Sequence, residues 1–336
     1  MTMKKTLALC LALAAAIALT ACGGSAASSA APAPSASAAS SAGPEGQTYT
    51  VGICQLVQHE ALDAATKGFR DALTEALGDA VAFEEQNASG DSANCATICS
   101  GFAANNVDLI MANATPALQA AVSATNAIPI LGTSVTDYAS ALDISGWTGA
   151  TGMNVSGTSD LAPLDGQAQM VKELFPDAKT VGILSCSGEA NSAYQVATIT
   201  PLLEGLGFTV KSFTFADSND VAVVTETACG ECDVLYIPTD NTAASCTEAI
   251  GNVVLNKKVP VVAGEVGICR GCGVATLSID YYDLGLETGR MAAEVLQGAD
   301  VSTMPVRYAP NFTKMYNAAN CEALGVSVPA DYAAVE

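Results

Sequence analysis

From Thr48 onward, short apolar runs alternate with helical stretches, and this rhythm constrains the fold more than any other feature of the chain. Thr48–Ile53 reads as a strand, and Ala61–Leu77, with apolar residues at helical spacing, as a helix. Val81–Glu85, Asp108–Ala112 and Ile128–Gly132 read as further strands. Helices over Asp91–Asn105 and from Thr115 to about Asn126 separate them. Pro116 falls in the first helical turn, where its missing N–H would be unpaired anyway. The series restarts at Lys179–Leu184, with strands over Phe208–Phe215, Asp233–Pro238, Val259–Ala263 and Val274–Ile279. Helices over Asn191–Leu206, Val221–Ala228, Thr242–Lys257 and Asp280–Gln297 complete it. Strands alternating with helices of about 10–15 residues imply a parallel sheet covered on both faces. Two such series predict an α/β fold of two doubly wound parallel-sheet lobes joined by hinges, with crossings near Gly157 and Asp280. The first lobe is expected over 48–157 plus about 281–303, the second over 158–280 plus about 304–336. A body of this length fits two domains better than one.

The segment before Thr48 has another character. Lys4 and Lys5 precede a 14-residue apolar stretch over 6–19. That is shorter than the roughly 20 residues a membrane-spanning helix needs, and it suits the core of a signal peptide. Leu19-Thr20-Ala21-Cys22 then resembles the lipobox of bacterial lipoproteins, which implies cleavage after residue 21 and a lipid on Cys22. An ordinary secretory signal with an incidental cysteine is the alternative. Residues 22–47, nearly all Ala, Ser, Pro and Gly after Cys22, lack the apolar bulk to order themselves and read as a flexible tether. Formal charge is −21, and −23 once Lys4 and Lys5 are gone. That balance argues against nucleic acid and against an electrostatic grip on an anionic membrane. Membrane attachment is therefore expected through the lipid alone, at the outer face of the cell membrane.

In open α/β sheets, ligands sit beyond the carboxyl ends of the strands. Polar residues collect there: Gln55, Gln58 and His59; Thr115; Ser134, Thr136 and Asp137; Asp160; Asn191 and Ser192; Asp240 and Asn241; and Asp280 at the last crossing. Such a set suits a zwitterion, which needs donors for its carboxylate and acceptors for its ammonium. Thr115 opens a helix, where free N–H groups favour an anion. Ser134, Thr136 and Ser192 offer hydroxyls. Asp160, Asp240 and Asp280 could face an ammonium, with Asn191 and Asn241 serving either end, and Tyr194, Tyr281 and Tyr282 could stack on a side chain. Helix capping explains Thr115, Asp137, Asn191, Asp240 and Asp280 equally well. His59, the only histidine, reads as a first-turn helix residue, and Trp147 as packing at a lobe edge.

Several segments carry a resemblance. QLVQHEALDAATKGF, NATPALQAA, SVTDYA, GTSDLAP, SGEANSAYQV, YIPTDNT and LSIDYYDLGLETGRMAA occur in this order across about residues 49–325. Together they resemble the ABC-transporter substrate-binding family that includes the tryptophan-binding lipoproteins. The resemblance implies a periplasmic-binding-protein type I fold, no catalysis and no cofactor. It also implies a small-molecule ligand, often an aromatic amino acid, and ABC permease and ATPase subunits as partners, the binding protein acting as a monomer. A nucleoside or sugar in the same cleft, or a signalling receptor in place of the permease, are the alternatives. A single tryptophan and 5% aromatic residues weigh against sugars.

An enzyme would need a constellation that is not visible. The lone His59 has no nucleophile motif around it, and GxSxG, GxGxxG after the first strand and the Walker pattern are all missing. Ten cysteines lie in the body, including Cys229/Cys232 and Cys269/Cys272 as CxxC and Cys95/Cys99 as CxxxC. Free thiols, disulfides and a metal site are all open readings. The 36 residues between Cys232 and Cys269 exceed the usual 15–20 spacing of a zinc site.

Overall fold

A computed structural model describes residues 48–335; the signal peptide and tether expected over 1–47, with Cys22, lie outside the described residues. Two sheets organise the body, and each belongs to one lobe.

The first sheet is built from β1 (Tyr49–Gln55), β2 (Val81–Asn87), β3 (Leu109–Asn113), β4 (Ile130–Val135), β5 (Val155–Ser159) and β11 (Arg307–Tyr308). Its order is β11-β5-β4-β3-β1-β2, parallel throughout. Side chains alternate across a strand. Val51 and Ile53 of β1 therefore face a core with Phe69 and Leu73 of α1 (Glu60–Leu77) and Met291 of α11 (Tyr281–Leu296). Gly52 and Cys54 face α2 (Ser92–Asn105), where a Cβ on Gly52 would meet the Phe102 ring at 2.6 Å. Helix α3 (Thr115–Ala124) shares that second face with α2.

The second sheet contains β6 (Thr180–Cys186), β7 (Thr209–Phe215), β8 (Val234–Ile237), β9 (Val261–Ala263), β10 (Ala275–Ser278), β12 (Thr313–Tyr316) and β13 (Ala333–Ala334). Its order is β13-β12-β10-β9-β8-β6-β7, parallel except where β12 runs against β10. α5 (Leu164–Leu174), α6 (Ala190–Gly205) and α12 (Ala318–Leu324) cover one face. α7 (Val221–Glu231), α9 (Thr247–Lys257) and α10 (Val266–Gly271) cover the other.

The chain crosses between sheets three times: after Ser159, after Ser278 and between Tyr308 and Thr313. The lobe bounds expected from sequence imply the same three crossings, near 157, near 280 and at about 303–304, and place 304–336 in the second lobe. Arg307–Tyr308 instead pairs with Thr158–Ser159 as an edge strand of the first sheet. A two-residue strand has too little pattern to read. Helix α11 returns to the first lobe and packs on α1 at backbone contact: a Cβ on Gly285 would stand 2.0 Å from the Ala65 carbonyl, and one on Gly68 2.1 Å from that of Tyr282. The helix expected over Thr242–Lys257 breaks at Cys246 into α8 (Asn241–Ser245) and α9. All ten body cysteines are free thiols, and no disulfide joins the described residues. Among these residues no helix is long and apolar enough to cross a membrane, and no group of three or more His, Cys, Asp or Glu is placed to hold a metal ion.

Candidate functional site

The carboxyl ends of the two sheets face each other across a cavity of about 430 Å³. Leu56, Val57, Gly90 and Pro116 line it from the first lobe, and Gly188, Glu189, Ala216 and Asn241 from the second. The volume falls in the range of small-molecule sites. No lysine or arginine is among its described lining residues.

The rims carry buried polar atoms without hydrogen-bond partners in the protein. They are His59 Nδ1, Asn113 Oδ1, Thr115 Oγ1, Ser134 Oγ, Asp160 Oδ1 and Asn191 Oδ1, each at or just beyond the carboxyl end of a parallel strand. Folded proteins pair nearly all such atoms, so each one asks for an explanation. Backbone strain marks the same place: Ala114 has φ 93° and Ser134 φ 54°, both left-handed without being glycine. Strain of this kind gathers at functional sites.

In the first lobe, Thr115 opens α3 directly after β3, with its hydroxyl buried and unpaired. Asp160 follows β5 at the first crossing and is 3% exposed. Its Oδ2 accepts from the Tyr281 hydroxyl at 3.0 Å, while Oδ1 is free. Burial lifts its pKa to about 6, against the pull of the Tyr281 and Thr136 hydroxyls. Thr136 is buried beside it, and its carbonyl accepts from the Ser159 hydroxyl at 2.8 Å.

In the second lobe, Glu189 organises the site. Its Oε2 accepts from Asn191 Nδ2 (2.9 Å) and from Asn241 N (3.0 Å) and Nδ2 (2.7 Å). Its Oε1 accepts from the Thr242 N–H and hydroxyl, both at 2.8 Å. Only an amide nitrogen can donate to a carboxylate, so both asparagine amides are fixed with their oxygens turned away from Glu189. Asn191 Oδ1 is left unpaired, and Asn241 Oδ1 meets His59 Nε2 of the first lobe at 3.3 Å. Burial lowers the His59 pKa, which favours a neutral ring with the proton on Nε2 and a free acceptor at Nδ1. The rims also meet through an ion pair between Glu60 and Arg270.

Thr115, Ser134, Asp160 and Asn191, singled out by strand-end position, are four residues whose buried polar atoms lack partners. The structure uses others differently. Asp240 is 1% exposed, and its carboxylate is filled by its own lobe: it accepts from Cys186 N at 2.6 Å, Ser192 Oγ at 2.7 Å and Ala243 N at 2.8 Å. It caps α8, and burial with the nearby Glu189 charge lifts its pKa to about 7. Ser192 is therefore a donor to Asp240 and not a free hydroxyl. Asp137 caps the short helix α4 (Tyr138–Ala141) through Ser140 N at 2.7 Å. Asp280 is exposed, caps α11 through Asp283 N, and lines outer grooves rather than the cavity. Gln55 is buried but tied to Asp63, Thr66 and the Val57 carbonyl, and opens on a groove beside α1. Both Glu189 and His59 stand at strand ends in the sequence, but neither is singled out there as a ligand contact, and His59 reads as a first-turn helix residue. The partners of Glu189 lie about 50 residues away, so only the second lobe's folding reveals it.

Comparison with known proteins decides the family. A family profile described as "ABC transporter substrate binding protein" matches residues 50–334. The chain belongs to this family of ABC transporter substrate-binding proteins. Its members bind solutes and are not enzymes. The tyrosine-binding protein of Clostridioides difficile (strain R20291) is 38% identical over 259 residues, 76% of this chain and 75% of that one. The solved ABC domain from Streptococcus pneumonia in complex with L-Trp is 31% identical and covers 86% of this chain and all of that one, with a TM-score of 0.82. A ligand-free, open substrate-binding protein with adhesive properties from Clostridium difficile is 36% identical over 86% of this chain and 99% of that one, yet its TM-score is 0.65. In this substrate-binding protein the two lobes touch through His59–Asn241 and Glu60–Arg270. The fold is that of type I periplasmic binding proteins.

Proposed function

We propose that this protein is a lipid-anchored receptor on the outer face of the cell membrane. It captures an aromatic amino acid between its lobes and presents it to the permease and ATPase of an ABC importer. The observation that carries this reading is the set of unpaired buried polar atoms at the strand ends of both lobes, the Asp160 carboxylate among them; the described lining of the cavity between the lobes holds no basic side chain. A ligand ammonium suits Asp160 Oδ1 and Asn191 Oδ1, which are acceptors. A ligand carboxylate suits the hydroxyls of Thr115 and Ser134 and the first N–H groups of α3, a ten-residue helix. Aromatic preference is supported by relatives described as tyrosine-binding and as an L-Trp complex. The lipid anchor rests on the Leu19–Cys22 pattern. Contacts bridging the lobes favour the closed form by their differential free energy, and the permease reads the closed pair of lobe surfaces.

A thermal-shift screen of residues 48–336 against amino acids, nucleosides and sugars tests this. L-tyrosine or L-tryptophan at 100 times its Kd should add about 2.7 kcal/mol of stability. A shift produced only by a sugar or nucleoside would overturn the reading.

A further inference from the structure

Among the described residues, nine of ten ion pairs join groups of the same lobe, such as Arg307 with Glu287 in the first and Lys314 with Asp331 in the second. The tenth spans the lobes. Glu60, the first residue of α1, pairs with Arg270 in the last turn of α10. Gly267 stands three residues before Arg270 on α10. A Cβ at Gly267 would lie 3.4 Å from Glu60 Cβ, so the α10 backbone itself rests against Glu60. Both charged residues line a crevice of about 330 Å³ between the lobes, together with His59 and Thr247. Neither lines the ligand cavity. Each charge also has a local use, because an acid suits the start of a helix and a cation its end. Those local uses persist when the lobes part, and the pair does not.

We infer that Glu60 and Arg270 form an interlobe clasp that sets ligand affinity from outside the ligand cavity. A swing about the three crossings that parts the rims separates α1 from α10 and breaks the pair. The clasp therefore draws the lobes together before the ligand arrives, and adds to the ligand's own contacts afterwards. Apparent affinity falls in proportion to the fraction of protein in the binding-competent form. Residues that raise that fraction tighten binding without touching the ligand. Exposure sets the size of the effect. The Arg270 and Glu60 side chains are 40% and 43% exposed, and a pair so exposed shifts an equilibrium by up to about fivefold. Reversing one charge sets two like charges side by side and pushes the lobes apart. The effect on affinity rests on the ligand reading above; the effect on lobe separation does not.

The test compares the purified full chain with Glu60→Arg, Arg270→Glu and the double reversal. Calorimetry at low salt with L-tyrosine or L-tryptophan should show Kd raised about fivefold in each single variant. The double reversal, which restores an ion pair, should return Kd to within about twofold of the parent. At about 1 M salt, where charges are screened beyond about 3 Å, the single variants should approach the parent. X-ray scattering without ligand should give a larger radius of gyration for each single variant and the parent value for the double. A purely local role would shift the unfolding temperature and leave Kd and scattering unchanged, which would overturn the clasp. So would a double reversal as weak as its two singles combined, or a loss of affinity that salt does not relieve. If the parent binds neither amino acid, the ligand reading falls, and the ligand-free scattering of the four proteins still decides the clasp.

Discussion

Replacing Asp160 with Asn separates a ligand-facing acid from a structural one, because the two effects it should have carry opposite signs. Its pKa is raised from 3.8 to about 6, chiefly by burial. Two units at about 1.36 kcal/mol each amount to about 3 kcal/mol spent holding the charge in the unliganded protein. The sign follows from proton uptake. A carboxyl whose folded pKa exceeds its unfolded value binds more protons when folded, so stability falls as pH rises from about 4 to about 6. Asn is nearly isosteric, still accepts from Tyr281 and carries no charge. Asp160→Asn should therefore be more stable than the parent at pH 8, by up to about 3 kcal/mol, and little different near pH 4. Binding should move the other way. Losing a buried partner of the ligand ammonium costs about 2–5 kcal/mol, or about 30-fold to several thousandfold in Kd. Parent affinity should fall about tenfold per pH unit just below pH 6, as the carboxylate protonates, and the variant's should not. Urea unfolding at pH 4 and 8 and calorimetry with L-tyrosine and L-tryptophan from pH 5 to 8 measure both. Parent-like affinity in Asp160→Asn, or an unchanged acid limb, would refute the assignment.

Two further changes probe the frame around the site. Asp240→Ala strips the acceptor from Cys186 N, Ser192 Oγ and Ala243 N. It should lower stability by about 2–4 kcal/mol in urea titrations and leave the Kd of the folded protein within about threefold by calorimetry; a hundredfold loss of affinity at unchanged stability would mean that Asp240 faces the ligand. Gly285→Ala would gain about 1 kcal/mol in an isolated helix. Here its Cβ meets the Ala65 carbonyl at 2.0 Å, so it should instead destabilise by about 3 kcal/mol, and a stabilised variant would show that α1 and α11 do not touch this closely.

The regular part of the fold was legible because its strands are apolar runs buried on both faces, as in LIMAN of β3. β5 was not, for it reads VSGTS and is buried among hydroxyls: Thr158 bonds both Thr133 and Thr288. Its glycine is also forced, since Gly157 has φ 141° and a Cβ there would stand 2.0 Å from the Gly132 carbonyl. Strand-end position also picks out Thr115, Ser134, Asp160 and Asn191, whose buried polar atoms lack partners. The same rule could not distinguish Asp240 or Asp280 from ligand contacts, because a capping aspartate and a ligand-facing one look alike until their oxygens are counted. Glu189 sits before α6 but works on α8, a relation made only by the fold.

The contact between α1 and α11 has a consequence for assembly. The first sheet needs a helix and an edge strand that arrive only after residue 280, whereas the second is nearly continuous in sequence. During synthesis the first lobe stays unsealed until most of the chain has emerged, with the apolar surface around Phe69, Leu131 and Val51 waiting for Met291. A fragment ending before Tyr281 should be sticky and chaperone-dependent, and the lobe nearest the N-terminus should be the last to become resistant to proteolysis.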